Sequence, residues 1–234
     1  GFTSLPNGAT TETGTADGIF YHCTALRSLT LFDGMTRIGA YAFFDCPSLA
    51  SLTLPNSVTS IGDAAFDACY SLSEITFGSA LKSIGNVVFK NCTALTQVII
   101  PSGVTSIGYG AFSGCTSLSS TTLPQSLLSV GKGAFDGCTA LVPSAVYGNA
   151  KYLGNEENPF CVLYQVTDAD ITNCTVHPSL HIIADSAFSG CTALTEIDIP
   201  DGAVRIGSRT FQGCTALQRI SIPDSVQTLG NMTF

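Results

Sequence analysis

The sequence predicts a repeat solenoid of the α/β type: about nine or ten short coils, each with a strand on one side, and few helices. Three observations predict it. Cysteines recur every 23 residues at Cys23, Cys46, Cys69, Cys92, Cys115 and Cys138, and again at Cys191 and Cys214. Three residues before each stands a phenylalanine (Phe20, Phe43, Phe66, Phe89, Phe112, Phe135, Phe188, Phe211), and three after it a leucine (Leu26, Leu49, Leu72, Leu95, Leu118, Leu141, Leu194, Leu217). One motif fills the interval, clearest in residues 191–213, CTALTEIDIPDGAVRIGSRTFQG. Eight in-phase copies exclude chance, and 23 residues are too few for two helices with their turns.

Each part of the unit has a physical reading. Leu194, Ile197 and Ile199 mark a strand whose end alternates inward isoleucine with outward Asp198. Pro200 stops it, having no N–H for a ladder. A polar turn follows (Asn56 and Ser57, Ser102 and Gly103, Asp201 and Gly202). A second apolar pair comes next, such as Val58 with Ile61 or Val104 with Ile107. Gly62, Gly85, Gly108 and Gly207 then supply a backbone angle that other residues resist. The stretch through Phe to Cys closes the coil as a turn or a single helical turn. One coil cannot bury its own apolar residues; stacking places Leu on Leu, Phe on Phe and Cys on Cys, with coils about 4.8 Å apart. Removing a core phenylalanine side chain should cost about 3–5 kcal/mol.

Along the chain this gives a single solenoid domain over residues 1–234. Residues 1–25 form an irregular first coil, with Leu5 and Pro6 at a strand end and a loose stretch rich in Thr and Gly. Regular repeats occupy 26–146. The rhythm breaks across 147–169, where residues 151–166 read KYLGNEENPFCVLYQV. Two apolar stretches flank Gly154, Asn155, Glu156, Glu157, Asn158 and Pro159, a hairpin signal with a polar turn. Regular repeats return over 170–234, since Ile171, Cys174 and Val176 match Leu194, Ile197 and Ile199 at an offset of 23. The chain stops at Phe234, on the repeat's Phe position, as a fragment of a longer protein would.

The motif LxxIxIPxxVTxIGxxAFxGCTA, seen in residues 49–65 (LASLTLPNSVTSIGDAA) and 95–111 (LTQVIIPSGVTSIGYGA), resembles the BspA-like leucine-rich repeat of bacterial and protozoan surface proteins. The resemblance covers nearly the whole chain. It implies a right-handed leucine-rich-repeat superhelix with a parallel sheet on the concave face. It also implies an extracellular or cell-surface protein used in adhesion, with a protein or glycan ligand on a host or neighbouring cell. The family offers no catalytic motif to carry over, so no catalytic residue maps onto this chain.

Composition narrows the function further. Hydrophobic residues are 45% and charged residues 11% of 234, which excludes disorder. No apolar run is long enough to span a bilayer, so no membrane insertion is expected. With 9 Lys and Arg against 17 Asp and Glu, net charge −8, a nucleic-acid partner is not expected either. No dinucleotide, P-loop, nucleophile-elbow or zinc motif occurs, so no enzyme, cofactor or metal is expected. His177 and His181 span a strand end and a turn rather than one helix face.

Ten cysteines suggest disulfides at first. Ladder cysteines with parallel Cβ directions at coil spacing do not meet the geometry, however, so free buried thiols are expected. A bridge between Cys161, off the main ladder, and Cys174, in an inward strand place, is the alternative. The patterned surface that remains is the outward strand face, with Thr30, Thr53, Thr76, Ile99, Thr122, Ala145, Thr175, Asp198 and Ser221 in one column and Ser28, Ser51, Glu74, Gln97, Ser120, Pro143, Asn173, Glu196 and Arg219 in the other. The candidate binding face is Thr30, Thr53, Thr76, Thr122, Thr175, Glu196 and Asp198; the hairpin residues Asn155, Glu156 and Glu157 are a second candidate. The acidic pair Glu196 and Asp198 would favour a basic partner. A plain solvated strand face, a stiff spacer between other domains, and a carbohydrate site using Tyr147, Tyr152 or Tyr164 are the competing readings.

Overall fold

The computed structural model describes residues 9–10 and 16–234. The strand end read at Leu5 and Pro6 lies outside them. Among the described residues there is no helix, and the closing Phe-to-Cys stretch is a run of turns. Ala9–Thr10 pairs antiparallel with Ala16–Asp17. The chain divides into two compact units, one of Gly1–Thr121 with Gly133–Val142 and the other of Thr122–Lys132 with Pro143–Phe234.

In the first unit a regular coil makes two short strands, which stack in parallel on counterparts 23 residues away. A three-residue wide strand, such as Ser51–Thr53 or Glu74–Thr76, runs exposed–buried–exposed. The two pair with Ser51 opposite Glu74 and Thr53 opposite Thr76. A two-residue narrow strand follows the polar turn: Arg37–Ile38, Ser60–Ile61, Ser83–Ile84 and Ser106–Ile107 stack in parallel. Alternation places Leu52, Ile75 and Val98 inward, with Val58, Leu81 and Val104 completing the filling.

The closing turns build two further columns. Phe20, Phe43, Phe66, Phe89, Phe112 and Phe135 form a continuous offset stack with centroids 5.1 to 5.5 Å apart. The thiols of Cys46, Cys69, Cys92, Cys115 and Cys138 each donate to the phenylalanine carbonyl of the preceding coil, as Cys69 Sγ does to Phe43 O at 3.2 Å and Cys92 Sγ to Phe66 O at 3.2 Å. All ten cysteines are free, so Cys161 and Cys174 are not bridged. Burial pushes the thiols up, to about 11 at Cys46 and about 12 at Cys69.

The repeat glycine has a different reason from the one expected. Gly62, Gly85, Gly108 and Gly207 do not adopt a positive φ. They are required because the backbone of the preceding coil lies against them: a Cβ on Gly62 would stand 2.5 Å from Ala40 N, and one on Gly108 2.4 Å from Gly85 O. The left-handed angle falls two residues later, at Tyr41, Ala64, Val87 and Arg209, and again just before the cysteine, at Asp45, Ala68 and Asn91. Each of these carries a side chain, which costs about 1–2 kcal/mol against glycine.

The second unit repeats the pattern around an insertion. Glu196–Asp198 pairs in parallel with Arg219–Ser221, and Asn173 bridges to Glu196. Ile182–Ile183, Arg205–Ile206 and Thr228–Leu229 stack in parallel. The hairpin in residues 151–166 is present as Ala150–Leu153 against Val162–Val166, with a bulge between Lys151 and Tyr152. A further strand, Ala145–Tyr147, precedes it. The turn between them is Gly148 (φ 56) and Asn149 (φ 71), two left-handed residues whose twist suits a two-residue hairpin loop. Val162 and Leu163 pair in parallel with Ile182 and Ile183, which sews the insertion into the narrow-strand ladder. Tyr152 is fully buried beneath it. Its hydroxyl accepts the His177 N–H at 3.1 Å, and burial pushes its pKa up to about 12.

Candidate binding face

The wide strands present their outward residues because the alternate ones are consumed by the core. Thr53 and Thr76 are exposed, as is Glu74, and Ser51 stands beside them. Thr30 is exposed but lies outside the strands, Thr122 is half-buried, and Thr175 is exposed next to the Asn173 bridge. Shallow depressions lie along this face in both units. Ser28, Thr30, Ser51 and Thr53 line one, Glu74, Thr76, Gln97 and Ile99 a second, and Thr175, Glu196 and Asp198 a third.

Some hydroxyls elsewhere on the coils are used internally. Thr59 Oγ1 donates to Thr36 O at 3.0 Å, Ser73 Oγ to Ala50 O at 3.2 Å and Thr105 Oγ1 to Lys82 O at 3.2 Å. The residue after the repeat glycine behaves alike: Asp63 Oδ1 accepts the Asn86 N–H at 2.7 Å and Asn86 Oδ1 the Tyr109 N–H at 2.9 Å. The hydroxyls add a second bond to carbonyls that already accept a backbone N–H, while Asp63 and Asn86 satisfy N–H groups of the next coil. The hydroxyls of Thr53, Thr76 and Thr175 make no such bond among the described residues. Polar capacity on the wide-strand face therefore points outward.

The acidic pair read from the sequence is not open. Arg219 forks onto both carboxylates, with Nη1 2.8 Å from Asp198 Oδ1 and Nη2 3.1 Å from Glu196 Oε2. Hydrogen bonds to Asp198 and then Glu196 raise the guanidinium pKa. Position in the outward column was visible in the sequence, but the pairing needed the register that sets Glu196 opposite Arg219.

The hairpin residues divide. Asn155 is committed to structure: its Oδ1 accepts the Glu157 and Asn158 N–H groups, and its Nδ2 donates to Leu123 O at 3.0 Å. Glu156 and Glu157 are exposed. Of the tyrosines, Tyr152 is sealed in the core, while Tyr147 sits edge-on to His177 at 5.0 Å. His177 itself stacks on Phe160 at 3.5 Å, and its Nδ1 accepts the Ser179 N–H. No group of three metal-binding side chains occurs among the described residues. No helix there is long and apolar enough to cross a membrane.

The repeat sequence matches a known family over most of the chain: the BspA type leucine-rich repeat region, in six copies over residues 13–142 and 164–234. The chain belongs to the BspA-type leucine-rich-repeat family. The break in the match falls on the insertion. Among solved structures, a leucine-rich repeat protein of T. pallidum is 28% identical, with 80% of this chain and 74% of that one covered and a TM-score of 0.50. One from Bacteroides ovatus is 25% identical, covering 98% of this chain and 70% of its own, with a TM-score of 0.44. A leucine-rich cell surface protein of Faecalibacterium prausnitzii is 23% identical over 81% of this chain and 77% of its own, TM-score 0.42. No curated protein matches the chain. The BspA-type repeat accounts for the parallel strands and the Phe and Cys columns.

Proposed function

We propose that this BspA-type solenoid is a non-enzymatic interaction module of a secreted or cell-surface protein, binding a partner through the wide-strand face. The observation that carries the reading is that the hydroxyls of Thr53 and Thr76, exposed on the wide strands and lining depressions there, make no hydrogen bond among the described residues and so are left for a ligand. Unpaired donors and acceptors on a rigid, periodic surface favour many modest contacts over one deep pocket. Adhesion and placement at the surface are what membership of the family adds to this reading. The hairpin's exposed Glu156 and Glu157 form a secondary contact within the second unit.

Surface plasmon resonance of the purified chain against matrix proteins and glycans tests it, with a Thr53→Glu, Thr76→Glu variant checked for folding by circular dichroism. Saturable binding that the variant loses supports the face. Binding that the variant retains moves the site elsewhere. A folded chain that binds nothing favours the spacer reading.

A further inference from the structure

The repeat allows one carboxylate position to be compared in two settings. Glu74, Ile75 and Thr76 occupy the place in their coil that Glu196, Ile197 and Asp198 occupy in theirs, each exposed–buried–exposed. In the second unit the following coil sets a cation beside the acid, and Arg219 closes on Glu196 at 3.1 and 3.2 Å. In the first unit Glu74 has Ser51 opposite it in register, and 23 residues on stands Gln97. Neither is a cation. Glu74 makes no ion pair or side-chain hydrogen bond among the described residues. Beside it the threonine column is interrupted by Ile99, 62% exposed, where Thr53 and Thr76 hold the same place in the two preceding coils. Glu74, Thr76, Phe77, Gln97, Ile99 and Pro101 line a single shallow depression.

We infer that this depression takes a polypeptide segment carrying a basic side chain next to an apolar one, the cation seated on Glu74 and the Thr76 hydroxyl, the apolar group on Ile99. The partner's cation fills the place that Arg219 fills internally in the second unit. A guanidinium suits it because a carboxylate with an adjacent oxygen acceptor matches its fork. An apolar contact at Ile99 shields that pair from water, the usual arrangement of a binding hot spot and its surround. A neutral glycan supplies no cation for Glu74 and little apolar surface for Ile99. The inference rests on the reading of the wide-strand face as the binding surface, and it adds the partner's chemistry and the coil concerned.

The experiment is selection of displayed random-sequence short peptides on the immobilised full chain. Recovered sequences are then synthesised and measured by surface plasmon resonance against the parent, Glu74→Gln, Ile99→Thr and Thr53→Glu. Ile99→Thr installs the residue already present in the two preceding coils, so it leaves the fold intact, which circular dichroism checks. The expected result is enrichment of Lys or Arg close to Leu, Ile, Val or Phe. Affinity then drops about ten-fold in Ile99→Thr and several-fold in Glu74→Gln, and Glu74→Gln also removes most of the salt dependence. Recovered peptides without a basic residue, or affinities unchanged in both variants, overturn the inference. Peptides lost only with Thr53→Glu overturn it while keeping the face, and peptides indifferent to all three changes overturn both. Failure to recover any peptide, with neutral glycans binding instead, also overturns it.

Discussion

Replacing Gly108 with alanine tests the close approach of successive coils. The added Cβ would stand 2.4 Å from Gly85 O, 2.5 Å from Gly85 C and 2.7 Å from Asn86 N, all backbone atoms. Ordinary contact at 3.4 Å requires the two coils to part by about 1 Å at that point. The rung bond from Gly108 N to Ile84 O, now 2.9 Å, would then stretch beyond useful length. Losing that bond in the interior costs about 1–3 kcal/mol, and the local strain about 1–3 kcal/mol. Alanine's smaller unfolded-state entropy returns about 0.4–1 kcal/mol. The net loss is about 1–5 kcal/mol, read as a lower urea midpoint by circular dichroism. Gly34→Ala, in the same unit, is the control. Gly34 has φ +94, and a Cβ added there would meet no atom within 4 Å, so only the backbone angle resists, about 1–2 kcal/mol before the same entropy offset. A Gly108→Ala midpoint no lower than that of Gly34→Ala would refute the close-approach reasoning.

Three further outcomes are expected. Thr121 occupies the inward place of Val98 and its buried hydroxyl has no partner, so Thr121→Val should raise stability by about 1–2 kcal/mol in urea unfolding. Arg209 is exposed with φ 53, where Gly110 and Gly133 stand in other coils; Arg209→Gly should add about 0.5–1 kcal/mol, seen as a higher thermal midpoint. The buried thiols make the fold sensitive to alkali. Their native pKa values, about 11 at Cys46 and about 12 at Cys69, lie above the ordinary 9.0, so the unfolded chain releases these protons first. Stability from each is intact below about pH 9 and falls by up to about 1.4 kcal/mol per pH unit until its native value is passed. Urea midpoints at rising pH should show that slope, shallower in Cys69→Ala; midpoints flat through this range count against it.

Much of the architecture was legible because it is written as a period. Stacked coils repeat one environment, so Phe66 and Phe89 meet the same neighbours and the sequence must repeat to satisfy them. The reason for the repeat glycine was not legible. Positive φ and close backbone approach both select glycine, and only coordinates separate them. Ala184 shows the difference: it holds the glycine place where the preceding rung is the insertion strand Val162–Val166, with its N–H on Leu163 O at 2.9 Å. The Gly148 and Asn149 pair was a readable turn signal, one hairpin earlier than the polar loop of residues 154–159. Glu196 and Asp198 were legible as outward acids, but their pairing with Arg219 depends on side-chain reach across a rung.

The sequence by itself determined the coil, its length, the inward columns and the family, since these depend on residue type at a fixed interval and every coil confirms the others. Tertiary structure decided which polar groups remain available. A threonine at one place caps a neighbouring carbonyl and at another faces solvent, because rung-to-rung geometry, not residue type, sets what lies within hydrogen-bond reach. The same geometry paired one strand-face glutamate with an arginine and left its counterpart, Glu74, without an ion pair or side-chain hydrogen bond among the described residues.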